Sequence, residues 1–278
     1  MAGEPDPEYV KARRVLLEAL ACLAPHRDAL VLVGAQAIYL QVGPGDLAVA
    51  PYTTDGDLVI EPSALADAPP LEEALGQGGF ARTEMPGIWT RDEVEIDLLV
   101  PEAVGGAGRR GARLGAHGNS AARKVKGLEG ALVDNEVMQV RALDDDLSRV
   151  SVRVAGPAAL LVSKLHKIAD REGRPDRLAD KDALDVLRVL RGVSTAAFVA
   201  GLGRMLADPV SGPVTREAVE LLERFFGADG RTGVEMAVRA TEGLEDPATI
   251  RGSCIALATD LIETMGGGII SADSRRAR

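Results

Sequence analysis

The chain is poor in aromatic residues, which make up only 3% of its 278 residues although hydrophobic residues account for 46%. Alanine, leucine and valine must therefore provide most of the packing in any core. No segment has the layout of a signal peptide, and no uncharged apolar run is long enough to cross a bilayer. These absences argue against a membrane protein and predict a cytoplasmic one. The length allows two modest domains or one large one.

Cysteine is also scarce. Cys22 and Cys254 are far apart in the sequence and lack the close spacing of a metal-binding pair. Because no secretion signal precedes them, both residues are predicted to be free thiols.

Basic residues are outnumbered by acidic ones, and the formal net charge is −10. This argues against a broad nucleic-acid-binding surface, because phosphate binding depends on lysine and arginine. A local basic channel is not excluded. Residues 109–126 form either a solvated loop or a phosphate-binding surface. This segment contains no acidic residue and six basic ones: Arg109, Arg110, Arg113, Arg123, Lys124 and Lys126.

Two aspartates at the start of an apolar run are the most informative feature of the chain. Asp55 and Asp57 precede the hydrophobic residues 58–60. In an extended strand, positions i and i+2 point to the same face, so both carboxylates can converge on one point. Hard oxygen ligands of this kind suit a divalent cation such as Mg²⁺. The alternative is a polar turn that caps an ordinary strand.

The segments before and after this pair favour the metal-site interpretation. Residues 30–33 form a short apolar run, and Gly34 and Ala35 lead into a predicted helix over 35–41. A glycine at this point lets a phosphate approach backbone N–H groups. Further along, residues 93–100 mostly alternate and place Asp97 on the face opposite the hydrophobic side chains. A neighbouring strand can thus supply a third carboxylate.

Two later helices each direct a charged residue inward. In the helix that begins at Pro157, Lys164 projects within the apolar face, Lys167 lies at its edge and His166 falls on the polar, solvated side. The next predicted helix, over 179–190, places Asp182 on its apolar side. A buried lysine needs an anionic partner, so Lys164 and Asp182 are predicted to pair or to line one pocket.

This order of features resembles the polymerase-β-type nucleotidyltransferase superfamily over roughly residues 28–192. The stretch Thr54-Asp55-Gly56-Asp57-Leu58 is most similar to AbiEii-like (type IV toxin-like) nucleotidyltransferases. Lys164-Leu165, followed by Lys181-Asp182-Ala183-Leu184-Asp185, resembles the lysine and aspartate motifs of the same proteins in the same order.

The resemblance implies a metal-dependent transfer of a nucleoside monophosphate. Asp55 and Asp57 would bind Mg²⁺ or Mn²⁺, and Asp97 would either bind a second metal ion or polarise the acceptor hydroxyl. Lys164 would offset the triphosphate charge, and Asp182 would orient Lys164 or the acceptor. The donor would be a nucleoside triphosphate. The acceptor would be an RNA, a protein side chain or a small-molecule hydroxyl, and a cognate antitoxin could hold the protein inactive.

Nucleotide binding would involve Gly34, Ala35, Lys164 and Lys167, and the basic segment 109–126 would contact the triphosphate or an RNA acceptor. Ala35 departs from the superfamily pattern, which has a small hydroxyl residue there, so one expected phosphate contact is missing. The alternative is therefore a catalytically degenerate relative that binds a nucleotide or a protein partner.

The predicted fold class is α+β, with a small mixed sheet and flanking helices in a nucleotidyltransferase core, followed by an all-helical C-terminal region. We assign residues 1–150 to the core, 151–264 to a helical domain that contributes the lysine and aspartate, and 265–278 to a flexible tail. Strands are predicted at 30–33, 88–91 and 94–100, with more between 128 and 143. Helices are predicted at 7–23, 195–206, 213–226, 232–241 and 247–264, besides those named above.

Overall fold

The computed structural model of the protein describes residues 5–43, 47–172 and 180–276, with side chains described as far as residue 266. It combines a mixed sheet of eight strands with helices that include a C-terminal group, and it is 54% helical and 17% strand. The predicted fold class is therefore confirmed.

The sheet has the strand order β3-β4-β5-β2-β1-β8-β7, and β6 pairs with β5. The strands are β1 (Leu30–Val33), β2 (Asp55–Ile60), β3 (Ala81–Arg82), β4 (Ile88–Arg91), β5 (Val94–Pro101), β6 (Arg123–Val125), β7 (Asn135–Arg141) and β8 (Arg149–Ala155). The pairs β2/β5, β1/β8 and β5/β6 are parallel, and the other pairs are antiparallel.

The strands predicted at 88–91 and 94–100 are present as β4 and β5, and they form a hairpin. Its strands are joined at Asp92 and Glu93, which have φ angles of 50° and 64°. Two consecutive left-handed residues are typical of the tight turn that matches the twist of a two-residue hairpin.

Strand β8 was not predicted, although it pairs with both β1 and β7. Arginines at positions 149 and 153 interrupt its apolar character, and Arg153 forms an ion pair with Glu61 at 2.8 Å. The strand also spans residue 150, the predicted boundary between the core and the helical domain. The buried hydrophobic side chains form one cluster from Tyr9 through the sheet to Met265, so burial alone does not separate two domains. The boundary at residue 150 stays a prediction.

The helices are α1 (Pro7–Cys22), α2 (Gly34–Val42), α3 (Leu71–Gln77), α4 (Pro157–Arg171), α5 (Asp180–Gly192), α6 (Thr195–Ala207), α7 (Gly212–Phe226), α8 (Thr232–Ala240) and α9 (Pro247–Arg276). Local chemistry explains several of their starts. Asp6 caps α1 by accepting the N–H of Glu8 at 2.8 Å, and Pro7 occupies the first turn. Helix α4 also has proline at its start, and Asp134 accepts the N–H of Ala159 at 3.1 Å.

Two predictions about the helices are wrong. His166 is buried, and its Nε2 lies 2.9 Å from the carbonyl oxygen of Val214. Helix α7 packs over the side of α4 that the sequence pattern assigned to solvent. Helix α9 also continues through the glycines at 266–268 to Arg276, where the sequence predicted a tail from residue 265. Glycine lowers helix propensity by about 1 kcal/mol per residue but does not forbid a helix.

Cys22 and Cys254 are free thiols, as predicted. Among the described residues, no single helix is long and apolar enough to cross a membrane. One pair, α5 and α6, reaches that length and apolarity only when the 112° bend between them is ignored.

Candidate active site at the junction of the sheet and two helices

The three predicted carboxylates lie side by side on β2 and β5. These strands are parallel, and the Cα atom of Asp57 is paired with that of Asp97. Both side chains therefore point to the same face, which Asp55 shares because it is two residues before Asp57. Burial, together with the neighbouring Asp55 and Asp97 carboxylates, raises the pKa of Asp57 to about 6. Sequence reasoning thus placed the third carboxylate beside the first two correctly.

Gly34 lies directly against this cluster. Its φ angle is +71°, and a Cβ atom at this position would lie 2.0 Å from Oδ2 of Asp57. Only glycine satisfies both the backbone conformation and the close approach. The predicted glycine turn is therefore present, but in this structure the group that approaches its backbone is the carboxylate of Asp57. Ala35 follows it as a buried residue in the first turn of α2.

The side chain of Asp55 is oriented by two residues that were not among the predicted site residues. Lys181 of α5 donates a hydrogen bond to Oγ1 of Thr53 at 3.2 Å, and the Thr53 hydroxyl donates to Oδ1 of Asp55. An ammonium group has no acceptor, so the direction of both hydrogen bonds is fixed. Thr53 is fully buried, and one oxygen of Asp55 is thereby held in place.

The backbone of Asp55 is fixed by a second buried network. Gln36 of α2 donates from Nε2 to the carbonyl oxygen of Asp55 at 2.8 Å, while its Oε1 accepts from Nε of Arg13 at 2.6 Å. Arg13 also donates to the hydroxyl of Tyr9 at 2.9 Å. Helices α1 and α2 therefore both hold the start of β2.

Asp97 has a cationic partner that was not predicted as such. Arg123 of β6 forms an ion pair from NH2 to Oδ2 of Asp97. The other carboxylate oxygen, Oδ1, is buried without a hydrogen-bond partner, and so is Nε of Arg123. Burial raises the pKa of Asp97 above its ordinary value and outweighs the opposite effect of Arg123.

Lys164 and Asp182 form the predicted pair. Nζ of Lys164 lies 2.9 Å from Oδ1 of Asp182 and 2.7 Å from Oδ2 of Asp185, and all three side chains are at most 5% exposed. Burial alone would lower the pKa of Lys164, but the two aspartates outweigh it and hold that pKa above its usual value. Asp185, which the sequence analysis quoted in the lysine and aspartate motif without giving it a role, lies one turn from Asp182 on α5.

Asp182 also forms ion pairs with two further basic residues of α4. Nζ of Lys167 lies 3.4 Å from Oδ1 of Asp182, and NH1 of Arg171 lies 2.8 Å from its Oδ2. Burial works against ionisation, but Lys164, Lys167 and Arg171 lower the pKa of Asp182 to about 2. Asp182 is therefore a charged anchor between the two helices.

The helical cations act on the carboxylates of the sheet. Lys167 and Lys164 both oppose the rise in the pKa of Asp57, and Lys167 does the same for Asp97. Lys181 is largely buried, and burial lowers its pKa although Asp185 and Asp55 oppose the shift. The arrangement is an anionic sheet face opposed by lysines from α4 and α5.

The three carboxylates are the type of ligand that a hard divalent cation prefers, but they are not arranged as a preformed metal site. Asp55, Asp57 and Asp97 offer carboxylate oxygens, and the buried, unpartnered Oδ1 of Asp97 is an atom that a cation would satisfy. Within the described ranges, however, no group of three or more histidine, cysteine, aspartate or glutamate side chains has the arrangement of a metal site. Asp55 is instead held by Thr53 and Asp97 by Arg123.

The basic segment 109–126 does not act as one surface. Arg109, Arg110 and Arg113 are exposed. Lys124 donates to the carbonyl oxygen of Gly106 at 3.0 Å, and Lys126 pairs with Glu217 at 2.7 Å. Within this segment, Arg123 is the residue that reaches the carboxylates.

Weak signals for the missed residues were present in the sequence. Asp185 follows Asp182 at the i+3 spacing that places two residues on one helix face. Thr53 precedes Asp55 at the i+2 spacing of a strand. No comparable signal links Arg123 to Asp97, because their pairing depends on the insertion of β6 beside β5.

Comparison with known proteins adds no relative: no family model, no curated protein and no solved structure matches this chain.

Proposed function

We propose that this chain is a Mg²⁺-dependent nucleotidyltransferase that transfers a nucleoside monophosphate from a nucleoside triphosphate to an acceptor. The observation that supports this proposal best is the juxtaposition of three aspartates on β2 and β5 with lysines from α4 and α5. Carboxylates for a cation and lysines for phosphates are the two kinds of group that phosphoryl transfer requires in one site.

In this proposal, Asp55, Asp57 and Asp97 hold the divalent cation, which when bound neutralises triphosphate charge and polarises the reacting phosphoryl group. Lys167 is 42% exposed and has one long ion pair, at 3.4 Å, so it is accessible to a phosphate. Lys164 is enclosed by Asp182 and Asp185. In this proposal Lys164 therefore holds α4 against α5 and acts on the triphosphate only through its charge at a distance. The resemblance had implied that Lys164 offsets the triphosphate charge directly.

The acceptor is an RNA, a protein or a small-molecule hydroxyl. The net charge of −10 favours the last two over RNA. The resemblance to AbiEii-like proteins extends the proposal to a toxin that a cognate antitoxin holds inactive.

The test is binding of each common nucleoside triphosphate by calorimetry with and without Mg²⁺, followed by transfer of an α-labelled phosphate to candidate acceptors. Wild type is expected to bind at least one triphosphate only when Mg²⁺ is present, and Asp55→Asn/Asp57→Asn is expected to lose this binding. Asp145→Asn is the matched control, because it removes a carboxylate from the exposed turn between β7 and β8. Binding that persists in the double variant would contradict the proposal.

A second candidate is a catalytically degenerate relative that binds a nucleotide or a protein partner. Ala35 in place of a hydroxyl residue and the Arg123 ion pair at Asp97 support it. The two candidates separate in the same experiment, since a degenerate relative would bind without transferring label, or would bind no triphosphate and instead retain a protein partner.

A further inference from the structure

Arg123 occupies a position from which it can serve either the carboxylates or an incoming ligand. It lies on the short strand β6, whose residue 123 is in register with Leu99 of β5. Its side chain is directed back to Asp97, two residues earlier on β5. The arginine side chain is 33% exposed and the aspartate side chain 16% exposed, so the pair lies at the boundary between the sheet and solvent.

The ion pair is one-sided. A guanidinium and a carboxylate can form two parallel hydrogen bonds, but here only NH2 and Oδ2 are joined. Oδ1 of Asp97 and Nε of Arg123 are both buried and lack hydrogen-bond partners. Neither residue therefore has its full set of hydrogen-bond partners in this state. Each unsatisfied buried polar atom carries a desolvation penalty, which a ligand that supplied the partner would remove.

Two of the other cations near the site are more completely engaged, whereas Lys167 is also partly exposed, with one ion pair at 3.4 Å. Lys164 contacts two aspartates, and Lys181 is largely buried and bonded to Thr53. Arg123 therefore combines partial exposure with an unfilled donor.

We propose that Arg123 is a substrate-binding residue with two alternative partners. It neutralises Asp97 while no divalent cation is bound, and it binds the phosphates of the triphosphate when a cation takes its place at Asp97. This inference rests on the proposed function and deepens it. Guanidinium groups match phosphate geometry with two parallel hydrogen bonds, and a cation at Asp97 would remove the attraction that holds Arg123 there.

The proposal predicts affinity changes of opposite sign in one variant. Arg123→Gln should bind Mn²⁺ alone roughly 5-fold more tightly than wild type, because the ion pair that competes for Asp97 is gone. The same variant should bind inorganic tripolyphosphate in saturating Mn²⁺ roughly 10-fold more weakly, because a phosphate contact is lost. Mn²⁺ affinity is measured by electron paramagnetic resonance and tripolyphosphate affinity by calorimetry.

Arg14→Gln is the matched control. Arg14 forms a single 2.9 Å ion pair with Asp144, away from the site, so both affinities should stay within about 2-fold of wild type. Arg123→Lys keeps the charge without the planar donor pair and should give intermediate tripolyphosphate affinity. Thermal unfolding of each variant verifies that it is folded.

The outcomes are separable. If wild type binds neither Mn²⁺ nor tripolyphosphate, the proposed function fails and this inference fails with it. If wild type binds both, and Arg123→Gln weakens both or resembles Arg14→Gln, only the role of Arg123 is overturned. Parallel weakening would indicate a structural effect. Loss of the positive charge alone would also tighten Mn²⁺ and weaken tripolyphosphate, and Arg123→Lys tests for it because it keeps that charge. If Arg123→Lys has both wild-type affinities, charge alone is sufficient and the role of the guanidinium is overturned.

Discussion

Lys164 on α4 and Asp97 on β5 are both charged residues inside the same site, but their charges are compensated to different degrees. Lys164 has two aspartates within 2.9 Å and almost no exposure. Asp97 has one arginine, and one of its carboxylate oxygens has no hydrogen-bond partner. Both parts keep an unpartnered buried carboxylate oxygen, since Oδ1 of Asp185 also lacks a hydrogen-bond partner. The difference is that the charge of Lys164 is balanced by two buried aspartates, whereas the Arg123–Asp97 pair is partly exposed and therefore accessible to a ligand.

The difference separates structural from ligand-binding roles. A buried cluster whose charges balance contributes to the packing of α4 against α5 and is expensive to break. A partly exposed ion pair adds little to stability but can exchange its partner for a ligand from solution. We therefore expect substitutions in the helical part to act mainly on stability, and substitutions in the sheet part to act mainly on binding.

The largest expected effect is on the helical side. Lys164→Met leaves Asp182 and Asp185 buried without their shared cation and should lower the free energy of unfolding by about 3–5 kcal/mol. Lys167→Met is the control, because Lys167 is 42% exposed and should cost at most about 1 kcal/mol. Urea unfolding measures both. Equal losses in the two variants would show that the burial of Lys164 between two aspartates does not make it more important for stability than the exposed Lys167.

A smaller effect is expected where the sheet meets α2. Gly34→Ala places a Cβ atom 2.0 Å from Oδ2 of Asp57 at a φ angle of +71°, and should cost about 2–3 kcal/mol of unfolding free energy. Gly43→Ala provides the comparison, since Gly43 has a φ angle of +65° but a Cβ atom added there would have no neighbouring atom within 4 Å. It should therefore cost only about 1 kcal/mol. Urea unfolding of the two variants provides the measurement.

The double variant Gly34→Ala/Asp57→Ala isolates the steric part of this effect. Removing the carboxylate should recover part of the loss caused by the new methyl group. If the losses of unfolding free energy in Gly34→Ala and Asp57→Ala simply add in the double variant, contact with the Asp57 carboxylate is not the reason that glycine is required at position 34.

The smallest expected effect is a pH dependence on the sheet side. Because the pKa of Asp57 is raised to about 6 in the folded state, the folded protein binds more protons than the unfolded chain between about pH 4 and 6. The contribution of Asp57 to stability should therefore fall as pH rises through this window, by roughly 1–2 kcal/mol, and stay low above it.

Asp57→Asn should remove this dependence and raise the free energy of unfolding at pH 7–8 by a similar amount. The measurement is thermal and urea unfolding across pH 4–8 in the presence of a chelator, with Asp145→Asn as the control. A variant that is less stable than wild type at pH 8 would show that the Asp57 carboxylate is favourably bound, not repelled by its neighbours.

Much of the fold could be predicted because its signals are local. The helices predicted to begin at residue 7 and at Pro157 are α1 and α4, and the strands predicted at 30–33, 88–91 and 94–100 are β1, β4 and β5. Strand β8 was missed although residues 149–154 alternate polar and apolar side chains, which is a local strand signal. His166 was misplaced because helical periodicity identifies one apolar face and does not reveal that a second helix covers the other side.

The sequence by itself determined which charged groups share a face. The i+2 spacing of Asp55 and Asp57 fixes their common direction on any strand, and the helical period places Lys164 and Asp182 inward on any amphipathic helix. Only the tertiary structure decided which of these groups meet. Arg123 reaches Asp97 across 26 residues, and Lys181 reaches Thr53 across 128, because strand order and the packing of α5 bring them together. Backbone periodicity is a local property, whereas pairing between distant segments depends on how the whole core is buried.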